Sequence, residues 1–148
     1  MDENKDNAET IVVVSAPSIE QNKIRGGLGI TYDMDALRLI DAFNEIGIKV
    51  RSVHRAKDPR RMISEAQAIC VGGGNTFALA KKMQEQGLMK AILKKIKDGT
   101  PYVGWSAGSN VSCPTICTTN DMPIVQPESF KAIGAVKFQI NPHYLDAN

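Results

Sequence analysis

The chain has 148 residues, with 18 basic and 16 acidic side chains that leave a formal charge of +2. That length suits one α/β domain, and so small a charge excludes a strong polyanion partner, so neither nucleic acid nor a membrane surface is an expected ligand. No window approaches the roughly 18 unbroken apolar residues of a membrane span, and the acidic start Met1 to Glu9 lacks the basic and apolar regions of a signal peptide, so a soluble, cytoplasmic protein is expected.

Residues 1–9 are expected to be poorly ordered, with a single domain making up the rest of the chain to Asn148. Ile11-Val12-Val13-Val14 is a β-branched run of buried-strand type, followed by a loop that carries Pro17 and Gly26-Gly27-Leu28-Gly29. From Asp33 the chain turns helical, with Leu37, Ile40 and Phe43 at spacing three and Gly47 as the stop. Ile48 to Val53 reads as a second strand, Pro59 to Ala66 as a short helix and Ala68 to Val71 as a third strand, which runs into Gly72-Gly73-Gly74. Asn75 or Thr76 then caps a helix to about Glu85, Leu88 to Lys97 forms another, and Asp98-Gly99 ends it. Pro101 to Val103 is a further strand, and Ala107 to Val111 opens a helix. Strand and helix alternate. The pattern predicts a doubly wound, mostly parallel sheet with helices on both faces, and such sheets place ligands at the carboxyl ends of their strands.

Between the last strand and helix stands Gly104-Trp105-Ser106-Ala107-Gly108, a G-x-S-x-G sequence at the junction where a nucleophile elbow puts its serine. Such a turn is strained, and glycines on either side remove side chains that would collide there. The Ala107 amide could then face a developing oxyanion. A plain packing turn is the competing reading of so short a pattern. Gly72-Gly73-Gly74 also follows a strand, so the two loops meet on one edge of the sheet and Gly73 or Gly74 can supply a second donor. The rival for this loop is phosphate binding, but the Walker spacing and its lysine are missing, and Phe77 stands where a dinucleotide fingerprint wants its last glycine.

His143 is the candidate base. It follows Phe138-Gln139-Ile140, expected as a strand, and lies in Asn141-Pro142-His143-Tyr144, where the proline restricts the backbone. His54 sits among Arg55, Lys57 and Arg60 and reads as part of an exposed basic loop. With only these two histidines, and no cysteine at ligand spacing to either, neither a metal nor a cofactor is expected. Cys70, Cys113 and Cys117 form no C-x-x-C pair and are read as reduced thiols.

Five stretches carry a resemblance: Gly72 to Phe77, Gly104 to Asn110, Cys113 to Ile116, Thr118 to Val125 and Asn141-Pro142-His143. In this order they resemble the peptidase E family, cytoplasmic aspartyl dipeptidases of the serine peptidase clan that also holds cyanophycinase. The resemblance runs from about Ile11 to the last residue. It implies a fold like that of class I glutamine amidotransferases and hydrolysis of dipeptides with an amino-terminal aspartate. Ser106 would be the nucleophile and His143 the base, with Gly73 or Gly74 and Ala107 as oxyanion donors. Asn75 and Thr119, within the same motifs, are expected to touch substrate, and a homodimer is compatible with the family.

Both ends depart from that family, which begins one strand earlier and continues past the histidine. The continuation carries the triad glutamate and an arginine for the substrate's aspartate; neither has a matching position here, so the chain is expected to be truncated. Asp121 is the one acid within a family-like motif and lies between Ser106 and His143. It is the candidate triad acid, against a turn-capping role in Thr119 to Pro123. Glu128 and Asp146 are weaker candidates. A non-catalytic, peptide-binding remnant of the same fold is the alternative to a peptidase.

Overall fold

The computed structural model describes residues 10–14, 40–53 and 56–146. Four parallel strands form its sheet: β1 (Thr10–Val14), β2 (Lys49–Ser52), β3 (Ala68–Val71) and β4 (Tyr102–Gly104). Their spatial order is β2-β1-β3-β4, so the chain steps to one side of β1 and then returns to the other. Ile11 pairs with Val50 on one side and Ala68 on the other, and Val71 pairs with Gly104. The crevice beyond the carboxyl ends of β3 and β4 receives the Gly72 and Ser106 turns. The expected loop with Pro17 and Gly26 to Gly29, the start of the helix from Asp33, residues 1–9 and His54 lie outside the described residues.

The helices are α1 (Pro59–Glu65), α2 (Thr76–Glu85), α3 (Leu88–Lys97) and α4 (Ala107–Ser112), and residues 40–45 are also helical. Asp58 accepts from Arg61 N at 3.0 Å and Pro59 opens α1, so that start combines a side-chain cap with a proline at the first position. The period-two alternation of β3 divides the interior. Ile69 and Val71 face a cluster with Ile63, Leu79, Met83, Leu88, Ile92 and Val111, while Cys70 faces Val50, packed by Ile40 and Phe43 of the 40–45 helix. Helices therefore cover both faces of the sheet, as the alternation of elements predicts. All three cysteines are free; burial raises the Cys70 thiol above its ordinary range and keeps it unreactive.

After α4 the chain runs to residue 146 without a further helix or strand, apart from an isolated bridge between Thr115 and Lys131. The strand expected at Phe138 to Ile140 is not formed. Ile140 N donates to Cys113 Sγ at 3.2 Å and Ile140 O accepts from Thr118 Oγ1 at 2.6 Å, so side chains take the bonds that a strand ladder would use. Among the described residues no helix is long and apolar enough to cross a membrane.

Candidate active site

Ser106 caps α4 with φ 53° and ψ −116°, a conformation that costs a non-glycine residue about 1–3 kcal/mol. Packing around it holds the strain. A Cβ on Gly108 would lie 2.0 Å from Val71 O, and one on Gly104 would lie 2.6 Å from Gly108 O. Only glycines let α4 approach β3 so closely. Tyr102 Oη donates to Gly108 O at 2.6 Å and Ser109 Oγ to Gly104 O at 3.1 Å, which tie strand to helix across the turn.

The side chain presented by this turn meets the expected base. His143 Nε2 lies 2.8 Å from Ser106 Oγ, within the range for general-base proton transfer. His143 itself has φ 61°, a second strained residue in the same pair. Its approach is set by the 140–142 segment, held by Cys113, Thr118 and Asn120: Asn120 Nδ2 donates to Asn141 Oδ1 at 2.8 Å and to Pro142 O at 3.4 Å.

The glycine loop passes directly beside the serine. A Cβ on Gly73 would lie 3.4 Å from Ser106 Cβ and 3.7 Å from its Oγ, and Gly74 has φ 108°, which a side chain would strain. At the start of α4, Gly108 donates to Trp105 O, and Ser109 and Asn110 donate to Ser106 O. The amides of Ser106 and Ala107 have no backbone acceptor among the described residues. At the start of α2, two of the first three amides are occupied by side chains: Thr76 N by Asp121 Oδ2 at 2.6 Å and Ala78 N by Asn75 Oδ1 at 3.1 Å. The protein's own acceptors thus take two of the amides that a phosphate would use.

Asp121 is brought to that helix start, and among the described residues no hydrogen bond joins it to His143. Asn75 also donates to Met122 O at 2.8 Å, and Thr119 Oγ1 donates to Thr76 Oγ1 at 3.0 Å, so the polar atoms of both expected substrate contacts engage the protein itself. Glu128 is bonded through its amide to Gln84 Oε1, on α2, and Asp146 is exposed.

Residues 31–148 match the sequence profile of Peptidase family S51. The chain belongs to this family. It is 47% identical over 117 residues to Peptidase E of Nostoc sp., covering 79% of this chain and 48% of that one. Against Peptidase E of Citrobacter koseri it is 45% identical over 121 residues, 82% of this chain and 53% of the other. Against that of Streptomyces coelicolor the identity is 49% over 115 residues, 78% and 47% of the two chains. The chain therefore spans about half the length of the curated relatives it matches. A crystal structure of a Listeria monocytogenes protein described as a candidate peptidase E superposes with TM-score 0.69 at 23% identity, over 95% of this chain and 70% of that one. A glutamine amidotransferase gives TM-score 0.50 at 17% identity, over 84% and 51%. At those identities the two structures speak to the fold, which is the one expected.

Within this S51 chain Thr118, Asn120 and Cys113, which hold the histidine's segment, lie in the resemblance stretches but were not expected as site residues. Their signal is a run of short polar residues, Thr118-Thr119-Asn120-Asp121, just past the last helix, a composition that favours side-chain bonds to backbone over regular structure. Cys113 carried no such signal.

Proposed function

We propose that the chain provides the catalytic core of a serine-type dipeptidase acting on dipeptides with an amino-terminal aspartate, in the cytoplasm. In this reading Ser106 Oγ attacks the scissile carbonyl as His143 Nε2 takes its proton. The tetrahedral oxyanion then receives N–H donors from Ala107 and from Gly73 or Gly74. Collapse breaks the C–N bond and expels the amine, which leaves with the proton from His143; water then repeats the sequence on the acyl-enzyme. The observation that carries the proposal is the 2.8 Å approach of His143 Nε2 to a serine held on a strained strand-to-helix turn. A buried packing turn has no use for that strain. Its amide donors would each contribute about 10²–10³-fold in turnover.

The test is covalent labelling with a fluorophosphonate, alongside hydrolysis of Asp-Leu and Ala-Leu. Wild-type protein is expected to be labelled once, at Ser106, and to hydrolyse Asp-Leu; Ser106→Ala and His143→Ala are expected to lose both. Folded wild-type protein that neither labels nor turns over either dipeptide would defeat the proposal.

A further inference from the structure

The four residues that follow the Cys117 turn face two ways. Thr118 and Asn120 reach the histidine's segment, bonding Ile140 O, Asn141 Oδ1 and Pro142 O. Thr119 and Asp121 reach the glycine loop's helix, bonding Thr76 Oγ1 and Thr76 N, while Asp121 N donates back to Thr119 Oγ1 at 3.1 Å. Thr76 is two residues past Gly74, and Asn141 is two residues before His143. Alternate side chains of one short stretch thus hold the two loops that flank Ser106. The Asn75 side chain adds a further tie from the helix start to Met122 O.

We propose that residues 118–121 act as a two-sided bracket that sets the donor loop and the base on the serine, with Asp121 a positioning residue for the Gly73 and Gly74 amides. Its carboxylate bonds the first amide of α2, where an acceptor is favoured whether charged or neutral, and so fixes the end of the loop that carries the donors. This rests on the dipeptidase reading for its kinetic consequences only. The hydrogen-bond pattern makes its own physical prediction, independent of turnover.

An acid that relays through histidine and an acid that holds an amide respond differently to the same substitutions. Asparagine keeps an acceptor for Thr76 N, so Asp121→Asn should lower kcat about tenfold or less, whereas Asp121→Ala should lower it by about 10²–10³-fold, the loss of one oxyanion donor. The pH profile of kcat/KM should keep its wild-type inflection in both. A loss near 10⁴-fold in Asp121→Asn, equal to that of Asp121→Ala, would mark a relay acid and overturn the proposal.

Amide hydrogen exchange and the imidazole NMR signals of His143 supply the second readout. Asp121→Ala should speed exchange at Gly73, Gly74 and Thr76 and leave the His143 signals in place; Asn120→Ala should do the reverse. Unchanged exchange at Thr76 in Asp121→Ala, or equal effects of both variants on both segments, would overturn the bracket even in a protein without turnover. Failure of the wild type to label or hydrolyse, with these exchange patterns intact, would instead defeat the dipeptidase reading alone.

Discussion

Ser106 illustrates how much of a residue's backbone setting can be read from its neighbours in the sequence. Its neighbours Gly104 and Gly108 announce a turn too tight for side chains, and the structure shows what they avoid, Val71 O and the backbone at Gly108 itself. The two glycine loops should nevertheless respond differently to a methyl group. Gly108→Ala forces a carbon to 2.0 Å from Val71 O, a backbone clash with no flexible partner, and should cost more than about 3 kcal/mol of stability, beyond the usual overpacking range. Gly73→Ala meets Ser106 only at ordinary contact distances, 3.4 and 3.7 Å. It should fold normally, lie against the Ser106 side chain and, on the proposed function, reduce labelling of Ser106 by at least about tenfold. Urea melts and labelling rates of the two variants check this; a Gly73→Ala protein that labels at the wild-type rate would place the reacting carbonyl elsewhere. The meeting of His143 with Ser106 was also expected, although the sequence did not show that His143 would sit at φ 61°. The helix start that Asp121 caps was not legible, because chain order between serine and histidine says nothing about which loop an acid will meet.

At the scale of elements, β3 and α3 follow the sequence pattern to the residue, and of the two caps expected for α2 the structure has Asn75. Boundaries drift where the cap is weak: β2 is Lys49–Ser52 instead of Ile48 to Val53, and β4 is Tyr102–Gly104, one residue later than expected. Phe138 to Ile140 misled because an apolar triplet looks like a strand unless the polar side chains that will bond its backbone are known. Those lie more than 20 positions earlier, at Cys113 and Thr118. The β4–α4 junction offers a pH test of how tightly elements are tied. Burial raises the Tyr102 phenol above its ordinary value, aided by nearby Cys113 and Cys70, while its proton is donated to Gly108 O. The folded state therefore holds this proton at a pH where the unfolded chain has begun to lose it. The contribution is fully present below about pH 10 and is lost as pH rises toward the raised folded value, at up to about 1.4 kcal/mol per pH unit. Tyr102→Phe should lower stability at pH 7 by about 1 kcal/mol and remove that part of the alkaline decline. Chemical denaturation at pH 8, 10 and 11 checks the sign; an alkaline slope as steep in the variant would show that Tyr102 is not its source.

For the whole molecule, the division that matters lies between the sheet with its helices and the irregular chain from Cys113 to residue 146. The first part is held by the main apolar cluster, in which Ile63, Ile69, Leu79, Met83 and Ile92 are buried. The second reaches that cluster chiefly through Ile116 and Ile133, and is otherwise secured by hydrogen bonds to its neighbours. On α4 these run from Ile133 N to Val111 O and from Ala135 N to Ser112 O; on α2, Gln84 Nε2 donates to Ser129 O at 2.8 Å and Glu128 N donates to Gln84 Oε1 at 2.9 Å. Segments with few buried apolar contacts and exposed hydrogen bonds open at lower free energy than the core they rest on. His143 and the 118–121 stretch both belong to this second part, whereas Ser106 and the glycine loop belong to the first. Activity should therefore be lost before the fold is. In a urea series, the rate of fluorophosphonate labelling should fall with a midpoint below that of far-UV circular dichroism. Gln84→Ala removes its two bonds to Ser129 and Glu128 and a third, from Gln84 Nε2 to Lys131 O at 3.2 Å, without touching the sheet, so it should widen the gap by lowering the labelling midpoint more than the dichroism midpoint. Coincident midpoints in wild type and variant alike would mean that the serine and its base rise and fall with one cooperative unit, and that the irregular half of the site is as firmly held as the sheet beneath it.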